Sequence, residues 1–247
     1  MKVALRVDAS LDIGIGHVMR CLALADALRD RGAVCTFVCR EFPGNLIDVI
    51  RRHNHQVHPL PLVAPAVDLT NNAPLCHAAW LGVDWRDDVR QMQSALGEDL
   101  FDWIVVDHYG IDALWERSMR PRCRSLMVID DITDRMHDCD VLLNQNLGRT
   151  AADYDGLTPF GCRVCAGSEY ALLRPEFKAL RAFSLRRRAI PCLDRLLITM
   201  GGVDKDNVTG SVLDALFGCP LPSACRISVV MGPHAPWLER IRTCPTR

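Results

Sequence analysis

The chain has 247 residues, 49% of them hydrophobic, enough to bury at least one sizeable core and to exceed the usual length of a single domain. Its 29 Lys and Arg stand against 30 Asp and Glu, and a net charge of −1 gives no electrostatic reason to expect nucleic acid or an anionic membrane as partner. Any anionic ligand must be held by local donors.

The chain opens with Met1-Lys2-Val3-Ala4-Leu5-Arg6-Val7-Asp8, with charges where a signal peptide needs an apolar stretch. Arg20 and Asp26 interrupt the best candidate for a membrane span, which needs roughly 20 apolar residues. A cytoplasmic protein with no membrane partner is expected. Val3 to Val7 reads as a strand and Val18 to Leu28 as a mostly buried helix ending near Gly32. Strands follow at Val34 to Val38 and Gln56 to Leu60. Asp84 to Leu96 has helical spacing, then Trp103 to Val106 reads as a strand, Ala113 to Met119 as a helix and Leu126 to Ile129 as a strand. Short apolar runs alternating with helices predict a parallel sheet covered on both faces.

After Asn144 the pattern loosens through Gly148, Gly156 and Gly161. Tyr170-Ala171-Leu172-Leu173-Arg174-Pro175 leads into a helix, and the basic stretch Arg181 to Arg188 runs on to Pro191. The Arg186-Arg187-Arg188 run suits an anion site or, more simply, a solvated helix end. A second alternation follows: strand Leu193 to Thr199, helix Asn207 to Phe217, strand Ile227 to Val230 and a helix from Pro236. The expected domains are residues 1–188 and 189–247, both α/β and Rossmann-like. Two strands and two helices do not close a doubly wound sheet, so the second domain is expected to be incomplete. The twelve cysteines are scattered through strands and helices, which favours reduced thiols. Cys162 and Cys165 form a C-x-x-C pair without a second pair at zinc-finger spacing, so neither a metal nor a cofactor is expected.

Asp8-Ala9-Ser10-Leu11-Asp12-Ile13-Gly14-Ile15-Gly16-His17-Val18-Met19-Arg20 carries the most chemistry. It runs from the end of the first strand into the first helix, where ligands bind in open parallel sheets. Gly14 and Gly16 let the backbone turn and approach a ligand, and free helix-start N–H groups can hold phosphate oxygens. Met19 replaces the third glycine of a dinucleotide fingerprint, and Arg40-Glu41 offers no clear ribose-binding acid. His17 in the first helical turn feels the positive end of the dipole, which disfavours imidazolium, whereas a bound diphosphate acts the other way. Arg20 shares its helix face and is placed to reach the same ligand. Tyr109, after the fourth strand, suits either contact with a sugar or cover for the core. Asp130-Asp131 suits a carboxylate pair or a metal site or, more simply, a loop cap. Gly201-Gly202 repeats the glycine-loop position in the second unit.

The Arg6 to Ser10 and Ile13 to Arg20 segments resemble the opening of the UDP-2,4-diacetamido-2,4,6-trideoxy-β-L-altropyranose hydrolases of pseudaminic acid biosynthesis. Val106-Asp107-His108-Tyr109, Tyr170-Ala171-Leu172-Leu173-Arg174 and Gly201-Gly202-Val203-Asp204 look like later blocks of that family. The resemblance implies a GT-B-like pair of domains, similar in fold to two-domain glycosyltransferases. It also implies metal-independent hydrolysis of a UDP-sugar: water activated by His17 attacks the anomeric carbon, and UDP departs with inversion. Gly14, Gly16, Arg20, Tyr109, Arg174, Gly201 and Gly202 are the expected substrate-binding residues. A later glycine-rich segment with a downstream Glu, which grips the uridine in the family, has no match after Gly202. The alternatives are a glycosyltransferase of the same architecture and an inactive, truncated sugar-nucleotide-binding fragment.

Overall fold

The computed structural model describes residues 1–62, 75–232 and 235–243. The chain divides into two units, Met1–Leu173 and Arg174–Arg247. In the first, β1 (Lys2–Val7), α1 (Gly16–Arg29), β2 (Val34–Arg40), α2 (Ile47–Arg52) and β3 (Gln56–Leu60) precede α3 (Trp85–Leu96). Then come β4 (Phe101–Asp107), α4 (Ala113–Met119), β5 (Cys123–Ile129), β6 (Val141–Asn144) and β7 (Arg163–Ala166). The seven strands form one sheet in the order β3-β2-β1-β4-β5-β6-β7, and every pairing is parallel.

Pleating explains the uninterrupted apolar runs. Val3, Leu5 and Val7 of β1 pack into one core with Val18, Cys21 and Leu22 of α1 and Ile47 and Ile50 of α2. Ala4 points the other way, toward a core that includes Val89 and Met92 of α3, Ile104 and Val106 of β4, and Trp115 of α4. Since both faces are covered, both sets of alternating positions are mostly apolar. Each fully buried Leu, Ile or Val contributes about 1.5–3 kcal/mol relative to exposure.

The order places β1 beside β4, with Val7 paired to Asp107 at their carboxyl ends. The connections turn outward on either side of this pair, to β2 and to β5. That reversal opens a crevice at the strand ends, the usual ligand position in such sheets. The chemistry-bearing loops after β1, β4 and β5 all emerge there.

The second unit contains α5 (Pro175–Arg187), β8 (Arg195–Ile198), α6 (Val208–Phe217), β9 (Arg226–Val229) and α7 (Leu238–Arg242). β8 and β9 pair in parallel. The division falls ahead of α5, one helix earlier than the basic stretch suggests. None of the residues of α5 is buried, and the Arg186-Arg187-Arg188 run is an exposed helix end. A groove of about 870 Å³, lined by Leu213, Phe217, Ile227, Val229 and Ile241 among others, lies within this unit. Among the described residues, no helix is long and apolar enough to cross a membrane.

Candidate active site

Burial begins beneath the site with a charge cluster. Arg6 alternates onto the α3 face of β1 and is fully buried. It donates to Asp88 of α3 through Nε at 3.1 Å and Nη2 at 2.7 Å, and its Nη1 lies 2.8 Å from Asp8. Arg40, at the end of β2, donates to Asp88 at 2.7 Å and to the Pro61 carbonyl at 2.6 Å, while its backbone N–H donates to Asp8 at 2.6 Å. The Trp115 indole N–H completes the cluster on Asp88 at 3.0 Å. Burial alone would raise the Asp8 and Asp88 carboxyls, but Arg6 outweighs it and holds both below the usual range. Arg40 is therefore a structural cation that closes the end of β2.

The loop after β1 is built by its own polar groups. Ser10 Oγ accepts from the N–H of Asp12 at 3.1 Å and of Ile13 at 2.9 Å, and the Gly14 N–H returns to the Ser10 carbonyl at 2.9 Å. Gly14 sits at φ 80, a left-handed conformation that strains other L-residues. Open space surrounds the α-carbons of Gly14 and Gly16 on the side a Cβ would occupy. α1 then starts from Ile15 with no side-chain cap and no acid in its first turn, so its N-terminal N–H groups have no side chain satisfying them.

His17, one residue into α1, meets Asp107 at the end of β4, with Nδ1 2.7 Å from Oδ1. Arg20, one turn on, grips the same carboxylate with two donors, Nε to Oδ2 at 2.6 Å and Nη2 to Oδ1 at 2.6 Å. Its Nη1 pairs with Asp131, which follows β5. Cys21 Sγ lies 3.4 Å from Asp107 Oδ2. Burial would raise the Asp107 carboxyl, but His17 and Arg20 prevail and hold it well below the ordinary range. Asp107 is thus an ionised acceptor, which fixes the His17 proton on Nδ1 and leaves Nε2 as the basic nitrogen. In that tautomer the 3.2 Å approach of Arg20 Nη2 to His17 Nδ1 is a donor–donor contact.

Tyr109 completes the cluster. Its hydroxyl donates to Asp131 Oδ2 at 2.8 Å, and its ring meets His17 edge to face with centroids 4.7 Å apart. Burial first, then the Asp131 bond, push its phenol well above the usual value. Asp130 and Asp131 are not a carboxylate pair. Asp130 accepts from the Thr133 N–H and pairs with Arg135 at 2.8 Å, whereas Asp131 faces Arg20 and Tyr109. Among the described residues, no group of three or more His, Cys, Asp or Glu is arranged to hold a metal ion.

The structure thus brings His17, Arg20, Tyr109, Gly14 and Gly16 together at one sheet edge. Arg20 has its donors engaged by Asp107 and Asp131, so it orients the carboxylate behind His17 rather than presenting a free cation. Arg174, Gly201 and Gly202 lie in the second unit. His77 and Trp80, which no sequence motif marks, also reach the site. A short 3₁₀ turn, Ala78–Leu81, presents them to the cluster: Trp80 stacks on Tyr109 with centroids 5.8 Å apart, and His77 meets Trp80 at 4.5 Å. Gly110 makes this approach possible, since a Cβ there would sit 2.8 Å from the His77 carbonyl oxygen. No local periodicity marks these residues.

The fold and site define a parallel α/β protein with a carboxylate-oriented histidine at the sheet's switch point. The chain is similar to the UDP-2,4-diacetamido-2,4,6-trideoxy-beta-L-altropyranose hydrolase of Campylobacter jejuni, at 29% identity over 242 residues, 98% of this chain and 73% of that protein. It is also 24% identical over 239 residues to an uncharacterized protein of Methanocaldococcus jannaschii, covering 94% of this chain and 43% of that one. Among solved structures, Acinetobacter baumannii MurG aligns at a TM-score of 0.48 with 12% identity, over 93% of this chain and 67% of that one. CalG4, the calicheamicin glycosyltransferase, aligns at 0.38 with 14% identity, over 87% and 42%. No protein-family model matches.

Proposed function

We propose that the chain hydrolyses a UDP-activated 2,4-diacetamido-2,4,6-trideoxyhexose without a metal, releasing UDP in pseudaminic acid biosynthesis. The observation that carries this reading is the Asp107–His17 pair, in which a buried carboxylate fixes the Nδ1–H tautomer. In the proposed step, Nε2 of His17 accepts a proton from water as the water oxygen bonds to the anomeric carbon. The bond from that carbon to the diphosphate oxygen breaks, and UDP leaves with its electron pair. The imidazolium formed is paired with Asp107, which Arg20 holds in place.

Such a base contributes about 10²–10⁴-fold. The open start of α1 and the Gly14–Gly16 turn supply donors for the diphosphate, whose developing charge needs stabilising as it departs. Tyr109 is proposed to contact the sugar. Arg174, Gly201 and Gly202 are proposed as further substrate-binding residues. The sequence similarity to the Campylobacter jejuni enzyme supports the substrate class.

The direct test incubates the chain with the UDP-sugar and no acceptor, following both products by NMR. Release of UDP with a sugar of inverted anomeric configuration, undiminished by a strong chelator, is expected. Absence of turnover until an acceptor alcohol is added would contradict hydrolysis, and chelator sensitivity reversed by magnesium would contradict metal independence.

A further inference from the structure

We infer that Trp80, braced by His77, is a specificity-determining wall for the sugar, selecting its deoxygenated, acetamido-bearing surface over that of an ordinary hydroxylated hexose. The inference rests on the hydrolase reading of the His17 site. Trp80 lies with its ring 6.4 Å from the His17 imidazole and nearly parallel to Tyr109, at an interplanar angle of 24°. His17 itself contacts Tyr109 edge to face. Two aromatic rings, Trp80 and Tyr109, therefore flank the proposed base.

Distance then limits what Trp80 can touch. Attacking water lies about 3 Å from the base nitrogen, and the reacting carbon lies about 3 Å from that water. On this reading the pyranose lies against the side chains that crowd His17, Trp80 among them. Trp80 is only partly buried, so part of its surface remains available for contact.

One polar atom of the pair points to a ligand rather than to core packing alone. His77 Nδ1 is buried without a hydrogen bond, although its ring packs on both Trp80 and Tyr109. Buried aromatic donors and ring nitrogens ordinarily find partners. A sugar bearing acetamido groups offers carbonyl acceptors and N–H donors for such atoms. Its methyl groups, including the C6 methyl of a 6-deoxy sugar, offer apolar surface for the indole face. A C6 hydroxyl against that face loses water without gaining a partner.

The test measures binding in a His17→Asn background, where the substrate is not consumed. Calorimetry compares UDP, the UDP-diacetamido-trideoxyhexose and UDP-N-acetylglucosamine. Adding Trp80→Ala should weaken the deoxysugar conjugate roughly ten- to hundredfold and shrink its preference over UDP-N-acetylglucosamine, while UDP affinity stays unchanged. Trp80→Phe, which keeps an aromatic face, should retain most of the preference. Trp80→Leu keeps apolar bulk for packing and gives the same readout as alanine if Trp80→Ala does not fold. Equal weakening of UDP and its conjugates, or an undiminished preference in the Ala and Leu variants, would overturn the wall. Failure of the His17→Asn protein itself to bind any UDP compound would instead overturn the hydrolase reading, and the wall with it.

Discussion

The chain contains two strand–loop–helix turns of similar plan, β1 into α1 and β8 into α6, and their helix starts are treated in opposite ways. At α1, the Ser10 hydroxyl stabilises the loop while the helix itself begins uncapped and without a first-turn acid. At α6, the Asp204 carboxylate accepts the N–H of Val208 at 2.8 Å and of Thr209 at 3.0 Å. Burial would raise the Asp204 carboxyl, but the bonds from Thr209 and Val208 outweigh it and lower it. The positive end of α6 thus already carries an anion, whereas that of α1 is open to one from outside. A glycine loop alone does not distinguish these cases. The presence or absence of an internal carboxylate does.

Breaking the first turn's chemistry should have the largest effect. Asp107→Asn removes the acceptor that fixes the His17 tautomer, and turnover should fall roughly 10²–10⁴-fold in steady-state kinetics. Near-native turnover would separate Asp107 from the mechanism.

Next in size is the foundation beneath that turn. Asp88→Asn leaves Arg6 and Arg40 buried without their shared counter-ion, and urea unfolding of the first unit should show a loss of about 3–5 kcal/mol. A loss below about 1 kcal/mol would mean that the cluster contributes little. The same carboxylates set the acid limit. The folded values of Asp8, Asp88 and Asp107 lie below their unfolded value of about 3.9. Their contribution is therefore complete above that pH and declines as pH falls from there through the depressed folded values. Acid titration of stability should show a steep loss in that range, shallower in Asp88→Asn.

Two smaller effects sharpen the contrast between the turns. Gly14→Ala finds open space for its methyl but keeps φ 80, so conformational strain of about 1–2 kcal/mol is the expected cost. No stability change would show that the loop relaxes to another conformation. Asp204→Ala should uncap α6 and lower the protection of its first-turn amides in hydrogen exchange by about 1 kcal/mol. Unchanged protection would mean the cap contributes nothing.

Much of this architecture is legible in the sequence because the central strands are buried on both sides. β1, β4 and β5 read as continuous apolar runs for that reason, and Asp84 marks the start of α3 by accepting the Arg86 N–H at 2.9 Å. β6 and β7 are short, and Arg163 opens the edge strand, so neither stands out from the loops around it. Asp88 is hidden differently. It sits among Asp84 and Asp87 at a helix start, where acids are ordinary, and only burial sets it apart. The motif around His17 marks the site, and the Asp107-His108-Tyr109 segment marks a second strand end. Their meeting depends on β1 lying beside β4, which no local pattern states. His77 and Trp80 are reached only through such nonlocal packing.

The role of His17 is tested most directly by the turnover of His17→Asn on the UDP-sugar, compared with wild type at saturating substrate. Asparagine preserves a polar side chain beside Asp107 while removing the basic nitrogen. UDP release should fall by roughly 10²–10⁴-fold with UDP affinity nearly unchanged. Turnover within a factor of a few of wild type would show that the base lies elsewhere.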